Sequence, residues 1–391
     1  MQRLSVLDRG SYRAYGITIV YVLLLVAAAG RCSRTPHYEL DLLSYMGNAL
    51  LMEERDPIRI HDRVYKEIAT QVPKHVYLRF TGQAPTPVDP LTSQRDRAAN
   101  PLHAAEFLPF FAIRPIYNQL IWLLSKTGIS LVRAAILISV ASYFVLGIVL
   151  YKWMIRYVDY LPAAIFSLLT MLSFPVALQG RVTGPDGLST LAAFFSLFLI
   201  FEKRCLLAGF ALLLVSIFVR TDNVVLAGVV LLACLVEKKI NLWQFFVLSS
   251  LALGSVLVIN HAAGDYGIRM LYYRNFIGTP IAPAENPAQF SAHDYSRVFR
   301  AGINNAAAGF LIPFMLLGLI GLSAGGTAAR MVVVTTSYVF LHYVILPNWM
   351  DRWFGVYYVS MGLAAVIAAR PLFENLRSLS LSALVQKVRA E

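Results

Sequence analysis

Apolar runs at or near membrane-spanning length recur along this 391-residue chain from one end to the other, and that recurrence limits what it can fold into. About 20 apolar residues cross a bilayer core as a helix. Lipid offers no hydrogen-bond partners, so the backbone of such a chain must be satisfied inside helices or a closed barrel. Transmembrane barrels show short segments of alternating polarity, and none occur here. With 58% hydrophobic residues and a mean hydropathy of +0.61, the chain is too apolar for a water-soluble fold of this size. The expectation is an all-α polytopic membrane protein.

Spans are expected near 14–31, 132–151, 160–178, 186–201, 205–219, 222–236, 242–260, 303–323, 331–346 and 354–369. The first follows Arg3, Arg9 and Arg13, and the Gly-Arg-Cys-Ser-Arg after it is a poor cleavage site, so it reads as an uncleaved span. The basic clusters "YKWMIR" (151–156), "EKRC" (202–205) and "EKK" (237–239), with Arg330, fall between spans. The positive-inside rule puts them and both termini in the cytoplasm. The net charge of +12 then reflects topology, and no nucleic-acid partner is expected. Cys32, Cys205 and Cys234 suggest neither a disulfide framework nor a CxxC metal site.

One apolar segment, 107–124, breaks the alternation if it spans, and it carries Arg114-Pro115 in its middle. It reads either as a re-entrant or surface-lying segment on the outer side or as an eleventh span. The organisation expected is a single transmembrane domain, 1–391, with no soluble domain after the last span. It has outer loops at 32–106 and 261–302 and an amphipathic cytoplasmic tail at 371–391.

This orientation gathers the polar chemistry on one face. His37, His61, His75, His103 and His293 fall in the outer loops, and His261 and His342 near outer span ends. In "HYELDLLSYMGNALLMEERDP" (37–57), helical spacing sets Asp41, Ser44, Tyr45 and Asn48 on one stripe. The expectation is a helix in the headgroup layer with that stripe turned to an aqueous cavity. The plainer reading is that Asp41 caps the helix. Asp186 in "RVTGPDGLSTLAAFF" and Asp222-Asn223 in "RTDNVVLAGVV" open further spans, where capping is again the plainer reading. Asp351 and Arg352 in "PNWMDRWFGVYY" occupy a short turn flanked by Trp349 and Trp353, where the alternative is an aromatic belt with an incidental ion pair.

In series, these features run from an acid after the first span, through an outer helix, "RPIYNQL" and "PDGLSTLAAFFSLFLIFEKR…LAGFALLLVSIFVRTDNVVLAG", to a late "PNWMDRWFGVYY". The series resembles the GT-C superfamily of polyprenyl-phosphate-dependent glycosyltransferases, which includes aminoarabinose transferases and protein O-mannosyltransferases. The resemblance covers most of 14–369 and implies a GT-C-like bundle of ten or eleven spans. It implies transfer of a sugar from a polyprenyl-phosphate-linked donor to a glycan, lipid or protein acceptor on the outer face. The family's first-loop acid maps onto Asp41, with Glu39 as the second choice, and its second acid onto Asp186. The chain has Arg220-Thr221-Asp222 where many members have Arg-Pro-Asp, Arg352-Trp353-Phe354 at the late turn, and no extra soluble domain for acceptor recognition.

Inverting transfer needs a base for the incoming hydroxyl or amine and cationic groups for the departing phosphate. A donor anchored by its prenyl tail puts both demands at a span mouth. Asp41 is expected as base or metal ligand, with Asp186 in support, and Arg114 with Arg352 as the phosphate clamp. The wider substrate-binding set is Glu39, Tyr45, His103, Arg114, Tyr117, Arg181, Arg269, Arg274, Asp351 and Arg352. Tyr272 or Tyr273 could stack on a sugar. Asp41 and Asp186 could hold Mg or Mn. With no organelle signal in the chain, the expected membrane is the bacterial inner membrane, with the outer side periplasmic. A transporter, lipid-linked saccharide flippase or polymerase is the alternative. Transport fits less well because no internal repeat is evident and the polar groups gather at one surface.

Overall fold

The computed structural model describes residues 2–84, 92–266, 270, 272, 291–347 and 349–375, with side chains from Tyr12 onward except Thr92. Arg269, Arg274, Tyr273 and the tail from Leu376 lie outside the described residues. Among the described residues the structure is helical, without strands. The helices are α1 (Gln2–Arg34), α2 (Leu42–Leu50), α3 (Pro57–Gln71), α4 (Lys74–Phe80), α5 (Thr92–Ala99), α6 (Pro101–Glu106), α7 (Pro109–Ala112), α8 (Pro115–Lys126), α9 (Leu131–Met154), α10 (Tyr160–Leu172), α11 (Phe174–Arg181) and α12 (Asp186–Leu197). They continue as α13 (Leu206–Val219), α14 (Asn223–Val236), α15 (Leu242–Ala262), α16 (Ala292–Ala308), α17 (Leu311–Ser323), α18 (Gly326–Ile345) and α19 (Gly355–Ala368).

Four stretches, Tyr12–Arg34 in α1, α9, α15 and α18, are long and apolar enough to cross a membrane, and up to seven spans result if each bent helix pair is counted as one. The chain is a multi-pass membrane protein. α13 and α14 have 14 residues each, so each rises only about 21 Å, against about 30 Å of hydrocarbon. The turn between them therefore cannot reach across, and its Arg220 is buried in protein.

The bundle core is built from α1, α9–α14 and α17–α19. α19 is buried on most of its sides, its glycines admitting close neighbours: a Cβ on Gly362 would stand 2.6 Å from Thr170 Oγ1. A second apolar cluster joins α2, α3, α4, α7, α8 and the first turns of α9. The C-terminal end of α12 unwinds into a π-helical turn, Phe198–Glu202, whose Glu202 accepts from Trp153 Nε1 at 3.1 Å and from Arg156 and Tyr157.

Three expectations change. The stretch 160–178 is not one helix: α10 and α11 meet at 68° around Ser173, because Pro175 has no N–H for the turn before it. The stretch 303–323 is likewise interrupted, α16 and α17 meeting at 72° at Gly309-Phe310. Pro313 cannot donate to the Gly309 carbonyl, and its ring crowds it. Helix α2 does not lie open on a surface: all its residues but Leu43 are buried, covered by α3, α7 and α8. Of the two readings of 107–124, a straight eleventh span does not hold, since Pro101–Ala112 and Pro115–Lys126 are bent by 115° with Arg114 at the corner. That is the geometry of a re-entrant loop or a broken span.

Candidate functional site

Ionic side chains from four distant segments meet at the end of the bundle where α1 and α13 finish and α12, α14 and α19 begin. The chain leaving α1 forms a parallel β-bridge between His37 and Val182. His37 N–H donates to the Arg181 carbonyl at 2.7 Å, and Thr183 N–H to the His37 carbonyl at 3.1 Å. Glu39 N–H then donates to Thr183 Oγ1 at 3.1 Å. This zipper sets Glu39 and Asp41 beside the segment that opens α12 with Asp186.

Arg352 arrives on a 3-10 turn, Asp351–Phe354. Gln179, fully buried on α11, donates to the Arg352 carbonyl at 2.9 Å and accepts from Thr190 Oγ1 at 3.2 Å. The approach requires glycine at 355, where a Cβ would stand 2.3 Å from Thr190 Oγ1 and 2.8 Å from Gln179 Cδ.

The Arg352 guanidinium lies among three carboxylates, 3.3 Å from Glu39, 3.7 Å from Asp186 and 3.9 Å from Asp41. None of these is a tight bidentate pair. Asp186 is held from its other side by Arg220. Arg220 also forks onto Asp222, Nε to Oδ1 at 3.0 Å and Nη2 to Oδ2 at 2.5 Å. Asp222 in turn meets His342 Nε2 at 2.9 Å. The array thus runs His342–Asp222–Arg220–Asp186–Arg352, ending on Glu39 and Asp41.

Capping does not explain Asp41 or Asp222, which stand at the N-caps of α2 and α14 and make no side-chain cap hydrogen bond there, whereas Asp186 lies in the first turn of α12, after the N-cap Pro185. Buried carboxylates are costly unless paired, and arginine supplies the pairing. For Glu39, burial pushes the carboxyl pKa up. The hydrogen bond from His37 at 3.1 Å and the charge of Arg352 outweigh that and hold it below the ordinary value. For Arg352, burial favours loss of the proton, and the charges of Asp186, Glu39 and Asp41 more than reverse it.

Several expected residues flank this array or lie apart from it. Tyr45 and Tyr117 are buried and meet edge to face at 5.0 Å. Tyr117 is within electrostatic range of Asp186, and its hydroxyl has no hydrogen-bond partner among the described residues. Arg114 lies 5.6 Å from the ring centres of both Tyr45 and Phe111 and donates to the Phe110 carbonyl at 3.2 Å. Asp351, though next in sequence to Arg352, turns away, held by Trp349 Nε1 at 3.1 Å and by the Tyr358 hydroxyl. Arg181 donates to the Thr35 carbonyl at 2.8 Å and makes no ion pair with the array among the described residues. His103 is paired with Asp96 at 2.6 Å on the outer-loop helices. Tyr272 donates to the Ile345 carbonyl.

Sequence reading gave no role to Arg220, Asp222 or His342. Two signals pointed to them: charges stranded between apolar runs too short to cross, and a histidine inside the run "YVFLHYVIL". Asp222 and His342 also line an apolar cavity of about 240 Å³ between α7, α14, α15 and α18, walled by Phe110, Val225, Val256 and Ile345.

The metal expectation finds no ligand cage. Among the described residues no group of three or more His, Cys, Asp or Glu side chains is placed to hold an ion. Asp41 and Asp186 share the Arg352 guanidinium.

Fold and site together define a multi-pass helical membrane protein with a buried ionic array at one end of its bundle. No protein-family model, curated protein or solved structure matches the chain.

Proposed function

We propose that the protein is an inverting glycosyltransferase of GT-C type. It moves a sugar from a polyprenyl-phosphate donor to an acceptor at the periplasmic face of a bacterial inner membrane. The observation that carries this reading is the loosely held Arg352 among Glu39, Asp41 and Asp186, joined through Arg220 and Asp222 to an apolar cavity between helices. A lipid-linked sugar phosphate needs this combination: an apolar bed for its tail, a cation for its phosphate and a carboxylate at the same depth.

The carboxylates divide the work by exposure and hold. Asp186 is 4% exposed and gripped by Arg220, which suits it to orient arginines. Asp41, 27% exposed, is the most exposed of the three carboxylates around Arg352, so it is the one placed to meet an acceptor. In the proposed step Asp41 takes the acceptor proton as the acceptor oxygen or nitrogen bonds to the anomeric carbon. The bond from that carbon to the phosphate oxygen breaks, and polyprenyl phosphate leaves with the electron pair. Arg352 leaves its long carboxylate contacts for the departing phosphate, where a fixed guanidinium stabilises developing charge. Arg114, which has no carboxylate partner among the described residues, is the second cation for that phosphate. No step runs through a metal.

Transport is supported by the three bent helix pairs, since transporters site substrates at such breaks. Two of the breaks meet each other through Phe174 and Phe310, stacked at 5.3 Å. Apolar rings at those two breaks and ions at the bundle end favour surface chemistry over passage.

The test is reconstitution with a labelled polyprenyl-phosphate sugar, together with native mass spectrometry for retained polyprenyl phosphate. Retention and turnover, both reduced in Arg352→Ala, are expected. Neither retention nor turnover with any polyprenyl-phosphate sugar would remove the reading.

A further inference from the structure

The outer-loop helices enclose a second cavity, of about 350 Å³, separate from the ionic array. Its floor is one face of α2, formed by Ser44, Gly47, Asn48 and Leu51. Asp41 stands one turn earlier on that helix, roughly 5 Å from Ser44 along the axis. Ile60, Val64 and Leu108 wall the cavity, and Arg55, His61 and Arg97 stand at its rim.

The cavity lining carries Arg55, His61 and Arg97 and no acid. Of the acids nearby, Glu53 pairs with Arg63 at 2.7 Å and with Lys126, Glu54 and Asp56 with Arg59 at 3.5 Å each, Asp62 with His61 at 3.5 Å and Asp96 with His103 at 2.6 Å, while Glu106 keeps a buried carboxylate oxygen without a hydrogen-bond partner among the described residues. Arg55 is exposed and has no ion-pair partner among the described residues.

We propose that this cavity binds the acceptor, and that the acceptor is an anionic amphiphile. Its acyl chain enters between α2, α3 and α6, its phosphate or carboxylate meets Arg55, and a headgroup hydroxyl is delivered along α2 to Asp41. This assignment rests on the glycosyltransferase reading and names its acceptor class. The apolar walls offer little to a soluble glycan or a peptide backbone. The volume holds about a dozen water-sized groups, enough for part of an acyl chain.

The test uses the full chain in phosphatidylcholine nanodiscs with a phosphatidylglycerol probe bearing a diazirine on its acyl chain. Cross-links are expected in peptides covering 43–64 and 101–112. Ala104→Trp fills the cavity and is expected to cut those cross-links about tenfold, while labelling of the outward faces of α1 and α15 stays unchanged and reports an intact fold. Arg55→Glu is expected to remove the preference over a phosphatidylcholine probe. Equal labelling in Ala104→Trp, or labelling confined to the outward faces, would overturn the cavity. A second measurement separates the two readings. Transfer to phosphatidylglycerol should fall in Ala104→Trp in parallel with the cross-links. Transfer undiminished in Ala104→Trp would overturn the acceptor role. A wild-type protein that takes the probe in this cavity yet never turns over the donor would overturn the glycosyltransferase reading, and the acceptor role with it, while leaving a lipid site.

Discussion

Arg352 Nη2 stands 3.9 Å from Asp41 Oδ2, at the limit of an ion pair, whereas Arg220 forks onto Asp222 at 3.0 and 2.5 Å. The two arginines share Asp186 and have opposite characters. Arg220 is 8% exposed and saturated by Asp186 and Asp222, while Arg352 is spread over three partners, none closer than 3.3 Å. The first behaves as structure and the second as a group free to change partners.

Asp41→Asn keeps the shape and removes the base. Turnover of a polyprenyl-phosphate sugar is expected to fall by about 10²–10⁴, with thermal stability close to wild type because the residue caps nothing. Activity within a few-fold of wild type would assign the base elsewhere, with Glu39 the first candidate.

Asp222→Asn should act mainly on stability. It strips the buried Arg220 of its fork and His342 of its 2.9 Å partner. Leaving a buried charge wholly without a counter-ion costs about 3–5 kcal/mol; Arg220 keeps Asp186, so a smaller loss is expected, read as a fall in detergent melting temperature. Replacing Arg220 and Asp222 together by apolar residues of similar volume should recover part of that loss. A single variant as stable as wild type would show that the pair is hydrated.

How much of this was legible in the sequence depends on whether a residue's role is local. Asp41, Asp186 and Arg352 stood out because each charge sits at the edge of an apolar run, where the cost of burial demands a partner. Their partners were not legible, because pairing is set by contacts distant in sequence: Arg220 reaches Asp186 across 34 positions and His342 reaches Asp222 across 120. The β-bridge at His37 and the Gln179 bond to the Arg352 carbonyl are backbone matters that no side-chain pattern announces. The burial of α2 was missed for a related reason. Its polar stripe is real, but Asn48 satisfies itself on the Ser44 and Leu108 carbonyls at 2.8 Å each, so the stripe needs no water. The breaks at Ser173 and Gly309 could have been read from Pro175 and Pro313.

Glu39 sets an expected pH dependence. Its carboxyl is held below the ordinary value in the folded state by His37 and Arg352, which outweigh burial. A depressed folded pKa means that the stabilisation is fully present above the unfolded value, about 4.3, and is lost as pH falls through the folded value. The melting temperature of wild type should exceed that of Glu39→Gln at neutral pH, and the gap should close below about pH 4. A gap independent of pH between 3 and 7 would mean that the glutamate stabilises by packing alone.

The last prediction concerns the joint that delivers Arg352. Gly355 lets the 3-10 turn lie against α11 and α12, where a Cβ would meet Thr190 Oγ1 at 2.3 Å and Gln179 Cδ at 2.8 Å. Thr190 and Gln179 are hydrogen-bonded to each other at 3.2 Å, and Gln179 also holds the Arg352 carbonyl, so neither can retreat without loosening the arginine. Gly355→Ala is therefore expected to cost about 1–3 kcal/mol and to lower donor turnover through a displaced Arg352. Thr190→Ser in the same chain removes a methyl and keeps the hydroxyl that causes the clash, so it should rescue little. Thr190→Ala removes the hydroxyl and should restore stability more than turnover, because Gln179 then loses the partner that aims it at Arg352. Melting curves and single-turnover rates on the two double variants separate these effects. Equal rescue by serine and alanine would show that the crowding comes from Gln179 rather than from the threonine hydroxyl.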